Sequence, residues 1–423
     1  MGINKWHKKP LKSLCTRIGD GLHGTPTYDE NSEFYFINGN NLKNGKIEIT
    51  NNTNTVTKED FKKNFIPLDE NTLLLSINGT LGSMAFYNNE KIMLGKSAAY
   101  INFKENVNKF YYYYFQLKEI QEYFYNVATG STIKNLSLKS IQDFEVPIPD
   151  KVELENISNV LSSLDSKIEL NNKINKELEA MAKTLYDYWF VQFDFPDENG
   201  KPYKSSGGKM VYNRELKREI PDGWDVKELK ELIKIERGIS YKSTDINDGI
   251  GCPMINLNSF YLDGSYKPEG IKYFNNKYSS NKVIKSGDLI IATTDVTRNA
   301  DIIGKATIVP NIYENDILLS CDIAKLVHDD SLDKYFLEKL FNSNFYHEYI
   351  KGFASGTLVL HLNTDGIGWY KTFVPPKNLL DEFSKLMASI QKKKELVTIE
   401  NQELAKLKDW LLPMLMNWQV KVK

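Results

Sequence analysis

Three fragments of this 423-residue chain have the outline of catalytic motifs. Gly95-Lys96-Ser97 ends like a phosphate-binding loop, but Glu90 stands where the first glycine is required, so the backbone cannot close on a phosphate. His347-Glu348 opens like a zinc-protease helix, yet Lys351 occupies the place of the second histidine. Pro221-Asp222 followed by Glu228-Leu229-Lys230 has a cramped version of metal-nuclease spacing and reads better as the start of a domain. An enzyme that methylates adenine needs an acidic or amide residue, two prolines and an aromatic ring to grip a flipped base. The only Pro-Pro pair lies in Val374-Pro375-Pro376-Lys377, and no glycine fingerprint follows a strand. The sequence therefore predicts a chain with no catalytic chemistry and no metal or cofactor of its own.

What remains is a set of loops rich in amides, hydroxyls and isolated cations. Asn pairs bidentately with adenine, Arg with guanine, and Ser or Thr with either, so these loops suit base-edge or phosphate contact. In the first half the candidates are Arg17, His23, Thr25 and Tyr28, then Asn38, Asn40 and Asn41, then Asn78 and Thr80, then Ser131, Thr132 and Lys134. In the second half they are Arg237, Tyr241 and Lys242, then Asn256, Asn258 and Ser259, then Thr293, Thr294, Thr297, Arg298 and Asn299, then Thr357 and His361. The competing reading is that Asn, Gly and Thr simply build turns, and for any single residue that reading is the stronger.

Bulk properties constrain the setting. With 41% hydrophobic and 26% charged residues, the chain has an ordinary globular composition, long enough for two or three cores. No apolar run approaches the roughly 18 residues of a membrane span, so no membrane partner is expected. The polar start from Met1 to Pro10 lacks the apolar centre of a signal peptide, and Trp6 stands where a myristoylation signal at Gly2 would want Ser or Thr. Cys15, Cys252 and Cys321 are odd in number and far apart, which fits a reducing cytoplasm rather than a disulfide framework. Lys plus Arg against Asp plus Glu gives 17 to 16 over residues 1–150 and 17 to 21 over 221–376. No whole-domain basic field exists, and nucleic-acid contacts would have to come from local patches.

The elements that must position the loops are written twice. A shift of 226 places Ser163 on Ser389, and with it Lys167 on Lys393, Leu170 on Leu396, Asn175 on Asn401 and Leu178 on Leu404, without a gap. The same shift sets Ala128–Thr132 on Ala354–Leu358, and with small changes of offset Ile37-Asn38 falls on Ile255-Asn256. Within each long helical stretch apolar residues recur in steps of three and four, the heptad signature. The first seam runs through Leu154, Ile157, Leu161, Leu164, Ile168, Asn171, Asn175, Leu178, Ala182, Leu185 and Trp189. The second runs through Leu380, Phe383, Met387, Ile390, Lys394, Val397, Asn401, Leu404, Lys408, Leu411 and Leu415. Two matching seams in one chain are each other's natural partner, which predicts an antiparallel pair with an internal pseudo-two-fold axis, each helix about 57 Å long at about 1.5 Å per residue. The alternative is an amphipathic helix packed only on its own domain.

The globular parts mix strands with turns, with strands expected at 72–77, 98–103, 288–292 and 301–309. Each then has an aromatic helical stretch, 110–125 and 335–349, followed by Gly130 or Gly356 as a left-handed helix cap. The run Tyr111–Tyr114 has the composition of a base-stacking platform but reads better as part of a helix facing the core.

Three passages resemble the specificity subunits of type I restriction–modification systems. They are the junction from Tyr186 to Trp224, the exit segment from Gly130 to Pro149, and the loop from Asp20 to Tyr28. The resemblance implies an α+β chain with two mixed target-recognition domains separated by a pair of long antiparallel coiled-coil helices. The bounds are 1–150 for the first recognition domain, 151–195 for the central helix, 196–220 for a linker, 221–376 for the second recognition domain and 377–423 for the last helix. It further implies double-stranded DNA with a split, asymmetric site as the target. Two modification subunits that use S-adenosylmethionine, and restriction or translocase subunits that use ATP and Mg, are the implied partners. The second exit segment, from Gly356 to Pro376, matches the family pattern less well than the first. Other classes remain open at this point: a coiled-coil scaffold that reads no DNA sequence, or a single-chain restriction–methylation enzyme, against which the missing motifs stand.

Overall fold

The computed structural model describes residues 6–247 and 249–422, so Gly2 lies outside the described residues. The chain forms two compact units, residues 1–169 with 403–423, and residues 170–402.

In the first unit an antiparallel sheet runs in the order Cys15–Asp20, Ala98–Phe103, Thr72–Ser76, Met84–Phe86. Thr72–Ser76 is buried throughout because both faces are covered. Leu73 and Leu75 enter a core with the aromatic helices, while Leu74 on the opposite face joins Ile37, Leu42 and Tyr100. A smaller sheet pairs Phe34–Ile37 in parallel with Ile92–Leu94. His7–Pro10 pairs with Glu145–Ile148 and closes the domain.

The second unit repeats this plan. Its main sheet runs Ile233–Arg237, Ile323–His328, Leu289–Ala292, Ala306–Ile308. Cys252–Ile255 pairs in parallel with Leu318–Leu319, and Asp225–Glu228 pairs with Lys371–Val374. The repeat reaches single side chains. Trp6 and Trp418 meet edge-to-face at 5.7 Å, and Trp224 and Phe193 do so at 5.6 Å. Trp418 and Phe193 have φ of 62° and 63°, left-handed values that few bulky residues adopt.

The long helices span Lys151–Tyr186 and Lys377–Met416. They contact each other in both units, and both times in the antiparallel sense. In the first unit Leu154, Ile157 and Leu161 share a core with Leu412, Leu415 and Met416, with Leu411 packed against it, and Asp165 pairs with Lys408 at 2.7 Å. In the second unit Ala182, Tyr186 and Trp189 share a core with Leu380, Phe383 and Met387, with Leu185 and Ile390 packed beside it. Leu178 is buried, while Leu164, Ile168, Val397 and Leu404 are half-buried.

Several local expectations need correction. The aromatic stretches are each two short helices, Asn108–Phe115 with Lys118–Val127 and Lys334–Phe341 with Asn344–Lys351. Only Ala306–Ile308 of the expected strand at 301–309 pairs, because Asp295 captures the N–H groups of Ile302 and Ile303 into a turn. Gly130 and Gly356 do not cap helices. The helix ends at Val127 and Lys351, and the glycines shape the turns that follow. Residues 196–220 are more than a connector, since Met210–Asn213 pairs with Arg218–Pro221 and Asp194 anchors the N–H and hydroxyl of Ser205.

Candidate nucleic-acid interface

In the first domain three loops converge at one end of the main sheet. Asp20 ends its strand, and Gly21 follows so close to the neighbouring chain that a Cβ would lie 1.9 Å from the Leu94 carbonyl oxygen. Only glycine permits this approach, and it lets the Leu22 N–H donate to that oxygen at 2.7 Å. A ring nitrogen of the exposed His23 sits 2.7 Å from the Asp20 carboxylate. The second loop brings Asn78 against Asn135, and its Thr80 hydroxyl lies 3.0 Å from Ser76. The third is the exit loop, in which Thr129 and Asn135 exchange backbone hydrogen bonds and the Leu136 N–H donates to the Ile77 carbonyl. Asp20, His23, Asn78, Lys96, Asn135 and Ser137 line a notch of about 270 Å³ between these loops.

The remaining first-domain candidates divide. Arg17, Thr25, Tyr28, Asn40, Ser131 and Thr132 are exposed. Arg17 lies 5.4 Å over the Tyr100 ring, and Lys134 lies 5.1 Å over the Tyr125 ring. Burial raises the Tyr100 phenol above its usual range; the Arg17 cation opposes that and Asp20 adds to it. Asn38 accepts from the Ser97 hydroxyl at 2.9 Å, and Asn41 accepts from the Asn38 N–H while donating to Glu48. Those two amides hold a turn, as the bland reading of such residues anticipates. Tyr111–Tyr114 are all buried, so no stacking platform exists there. Tyr111 donates to the Pro147 carbonyl and Tyr113 to Asp165.

The second domain builds the same frame with other side chains. Arg237 takes the strand position of Asp20, opposite Ala324 where Asp20 is opposite Ala99. Gly238 follows, its Cβ position 2.1 Å from the Ser320 oxygen, and the Ile239 N–H donates to the Leu319 carbonyl. Thr294 pairs with His361 where Asn78 meets Asn135, and the Leu362 N–H donates to the Thr293 carbonyl. Cys321 follows the bridging Ser320 as Lys96 follows Gly95. Its thiol is raised above the usual range by burial and then by the neighbouring Asp322.

Other second-domain candidates are consumed by the fold. Thr293 and Thr294 are buried and donate to Asp322. Asn256 is buried, donating to the Gly270 carbonyl and accepting from the Asn258 N–H, and Ser259 accepts from the Asn256 N–H. The fully buried Asp295 accepts from the Thr297, Ile302 and Ile303 N–H groups, and Thr297 accepts from Asp301. That pinning leaves Val296, Arg298 and Asn299 facing outward. Lys242, Asn258, Thr357 and His361 are exposed, and Lys272 lies 5.9 Å over the half-buried Tyr241 ring. Sequence reading missed Asp20, Lys96 and Asn135, although the 226-residue shift that equates Thr129 with Ser355 also equates Asn135 with His361.

The helix seam carries its own polar centre. Asn171 is buried and donates to Glu400 at 2.8 Å and to Asn401 at 2.9 Å, while Asn401 donates to Asn172 and Asn175 to Thr398. Beyond it, Glu179 forms ion pairs with both Lys394 and Lys339. Burial alone would raise the Glu179 carboxyl, but the two ammonium groups outweigh it and hold it at about 2.

His347 of the protease-like fragment is largely buried, and burial followed by Lys305 and Lys351 lowers it to about 4. No cluster of metal-ligating side chains occurs among the described residues, and no helix among them is long and apolar enough to cross a membrane.

The two mixed domains carry a duplicated loop frame and share a paired-helix seam, and residues 4–180 match the type I restriction modification DNA specificity domain. The chain is similar along its length to specificity subunits of type I restriction–modification systems. It is 25% identical over 438 residues to the type I restriction enzyme MjaIX specificity subunit of Methanocaldococcus jannaschii, covering 99% of this chain and 94% of that one. It is 26% identical to the HindI specificity subunit of Haemophilus influenzae, covering 71% and 75%. The crystal structure of a type I restriction–modification S subunit from M. genitalium shares the fold at a TM-score of 0.56 and 17% identity, covering 98% of this chain and 97% of that chain. Recognition of DNA sequence is the function that the matched domain and these relatives share with it. The domain match ends at residue 180, and the repeated strand order carries the same frame into the second half.

Proposed function

We propose that this chain reads the two halves of a split, asymmetric DNA site, one with each mixed domain, and that it contributes no catalytic step. One observation carries the reading: the same three-loop frame is built twice on the same strand positions, with different side chains in each. Identical frames with unlike linings are what two unlike half-sites require. Modification subunits, and with them restriction subunits, would dock on the helices and bring S-adenosylmethionine, ATP and Mg. Support comes from the large apolar side chains that the helices leave outside their seam, among them Met181, Leu396, Leu407 and Trp410. The test is retardation of duplex DNA by the full chain together with its modification subunits. A duplex carrying the site methylated in vivo should be held far more tightly than one with either half scrambled. Equal retardation of both would favour a scaffold that reads no sequence.

A further inference from the structure

The residue before the tightly constrained glycine differs in charge between the two domains. Asp20 and Arg237 occupy one strand position, each followed by a glycine that has no room for a side chain, so each α-carbon is fixed against the neighbouring strand. Residues of the same face of the strand, Ile18 and Ile235, pack against the domain cores, so this face leads at its end into the loop cluster. The first notch is lined by the Asp20 carboxylate. Arg237 is exposed, and its guanidinium forms no ion pair or hydrogen bond among the described residues. The surroundings differ to match. A carboxylate next to phosphates is repelled, and the first notch adds Lys96 and His23 beside Asp20. In the second domain Arg237 is itself the cation, and the places of Lys96 and His23 are taken by Cys321 and Ser240, which carry no positive charge.

We propose that this position determines specificity in each domain: Arg237 reads a guanine through its O6 and N7, and the Asp20 carboxylate reads an exocyclic base amine. The chemistry follows from the donor inventories. A guanidinium presents a rigid fork of donors that matches two acceptors on one base edge, and a carboxylate only accepts. His23 engages one oxygen of Asp20, which leaves lone pairs for the amine of cytosine or adenine. The inference rests on the DNA-reading function proposed above.

The test is selection of bound duplexes from a randomised pool by the full chain with its modification subunits, comparing wild type with Arg237→Lys, Arg237→Ala and Asp20→Asn. Arg237→Lys keeps the charge and loses the fork. It should retain overall affinity and salt dependence while preference for guanine at one position falls about 5- to 150-fold, the equivalent of about 1–3 kcal/mol. Asp20→Asn should change preference only in the other half-site. A wild type that selects a split site, together with an Arg237→Lys variant that keeps every preference, overturns the proposal and leaves DNA reading intact. Changes from both variants in the same half-site overturn it as well. A wild type that selects no sequence overturns the DNA-reading function itself.

Discussion

At the scale of residues, three side chains in the second unit set a testable balance. Glu179 lies between Lys339, which is 5% exposed at its side chain, and Lys394. Its carboxyl is depressed in the folded state, so its contribution is present above the unfolded carboxylate range and is lost as pH falls toward about 2. Unfolding midpoints measured from pH 5 down to about pH 2 should fall, and Glu179→Gln should flatten that fall. At neutral pH the same variant should lose about 2–4 kcal/mol, less than a wholly buried pair because the carboxylate is partly solvated. An unchanged midpoint would show that Glu338, 3.2 Å from Lys339, suffices alone. Backbone geometry gives a second test at this scale. Gly130 and Gly356 have φ of 106° and 137°, and a Cβ on either would sit 2.2 or 2.0 Å from the carbonyl oxygen three residues on. Replacing either with Ala should cost about 1–3 kcal/mol in thermal or denaturant unfolding and loosen one exit loop, read as faster amide exchange there.

At the scale of elements, the seam trades stability for register. Asn171 and Asn175 each have a buried side-chain oxygen without a hydrogen-bond partner among the described residues. Such groups cost free energy, while amides that find each other across a seam fix which turn faces which. Replacing Asn171 and Asn401 together with Leu should raise the unfolding free energy by about 1 kcal/mol, since both partners become apolar at once. A lower value would mean that Glu400 and Asn172 depend on those amides. Removing one heptad from each long helix, around Asn171–Glu177 and the residues facing it, keeps the seam in phase. The predicted outcome is a changed gap between methylated half-sites with both half-sites themselves unaltered. Altered half-sites would show that the helices do not set the gap.

For the whole molecule, a net charge of -1 means that attraction to DNA is local rather than global. Binding should still weaken steeply with salt. If about six phosphates are contacted, the affinity of the complex should drop about 10³-fold between about 50 and 200 mM salt. A flat salt response in a retardation or fluorescence titration would place recognition outside the charged loops.

The repeat, the heptad seam and the lack of catalytic motifs were legible in the linear chain, because helix periodicity and side-chain chemistry are local properties. Exit loops matched at the same 226-residue shift as the helices, since they lie close to them in sequence. Asp20 and Arg237 were not matched, because their offset is 217 and differing loop lengths intervene. Only strand pairing, which joins residues about 80 positions apart such as Asp20 and Ala99, sets those two in one place. Burial was equally hidden: Asn256, Ser259, Thr293 and Thr294 look like reading residues in the sequence and are instead committed to internal hydrogen bonds. Whether a polar side chain faces solvent or a buried carbonyl depends on segments distant along the chain, so tertiary packing alone decided it.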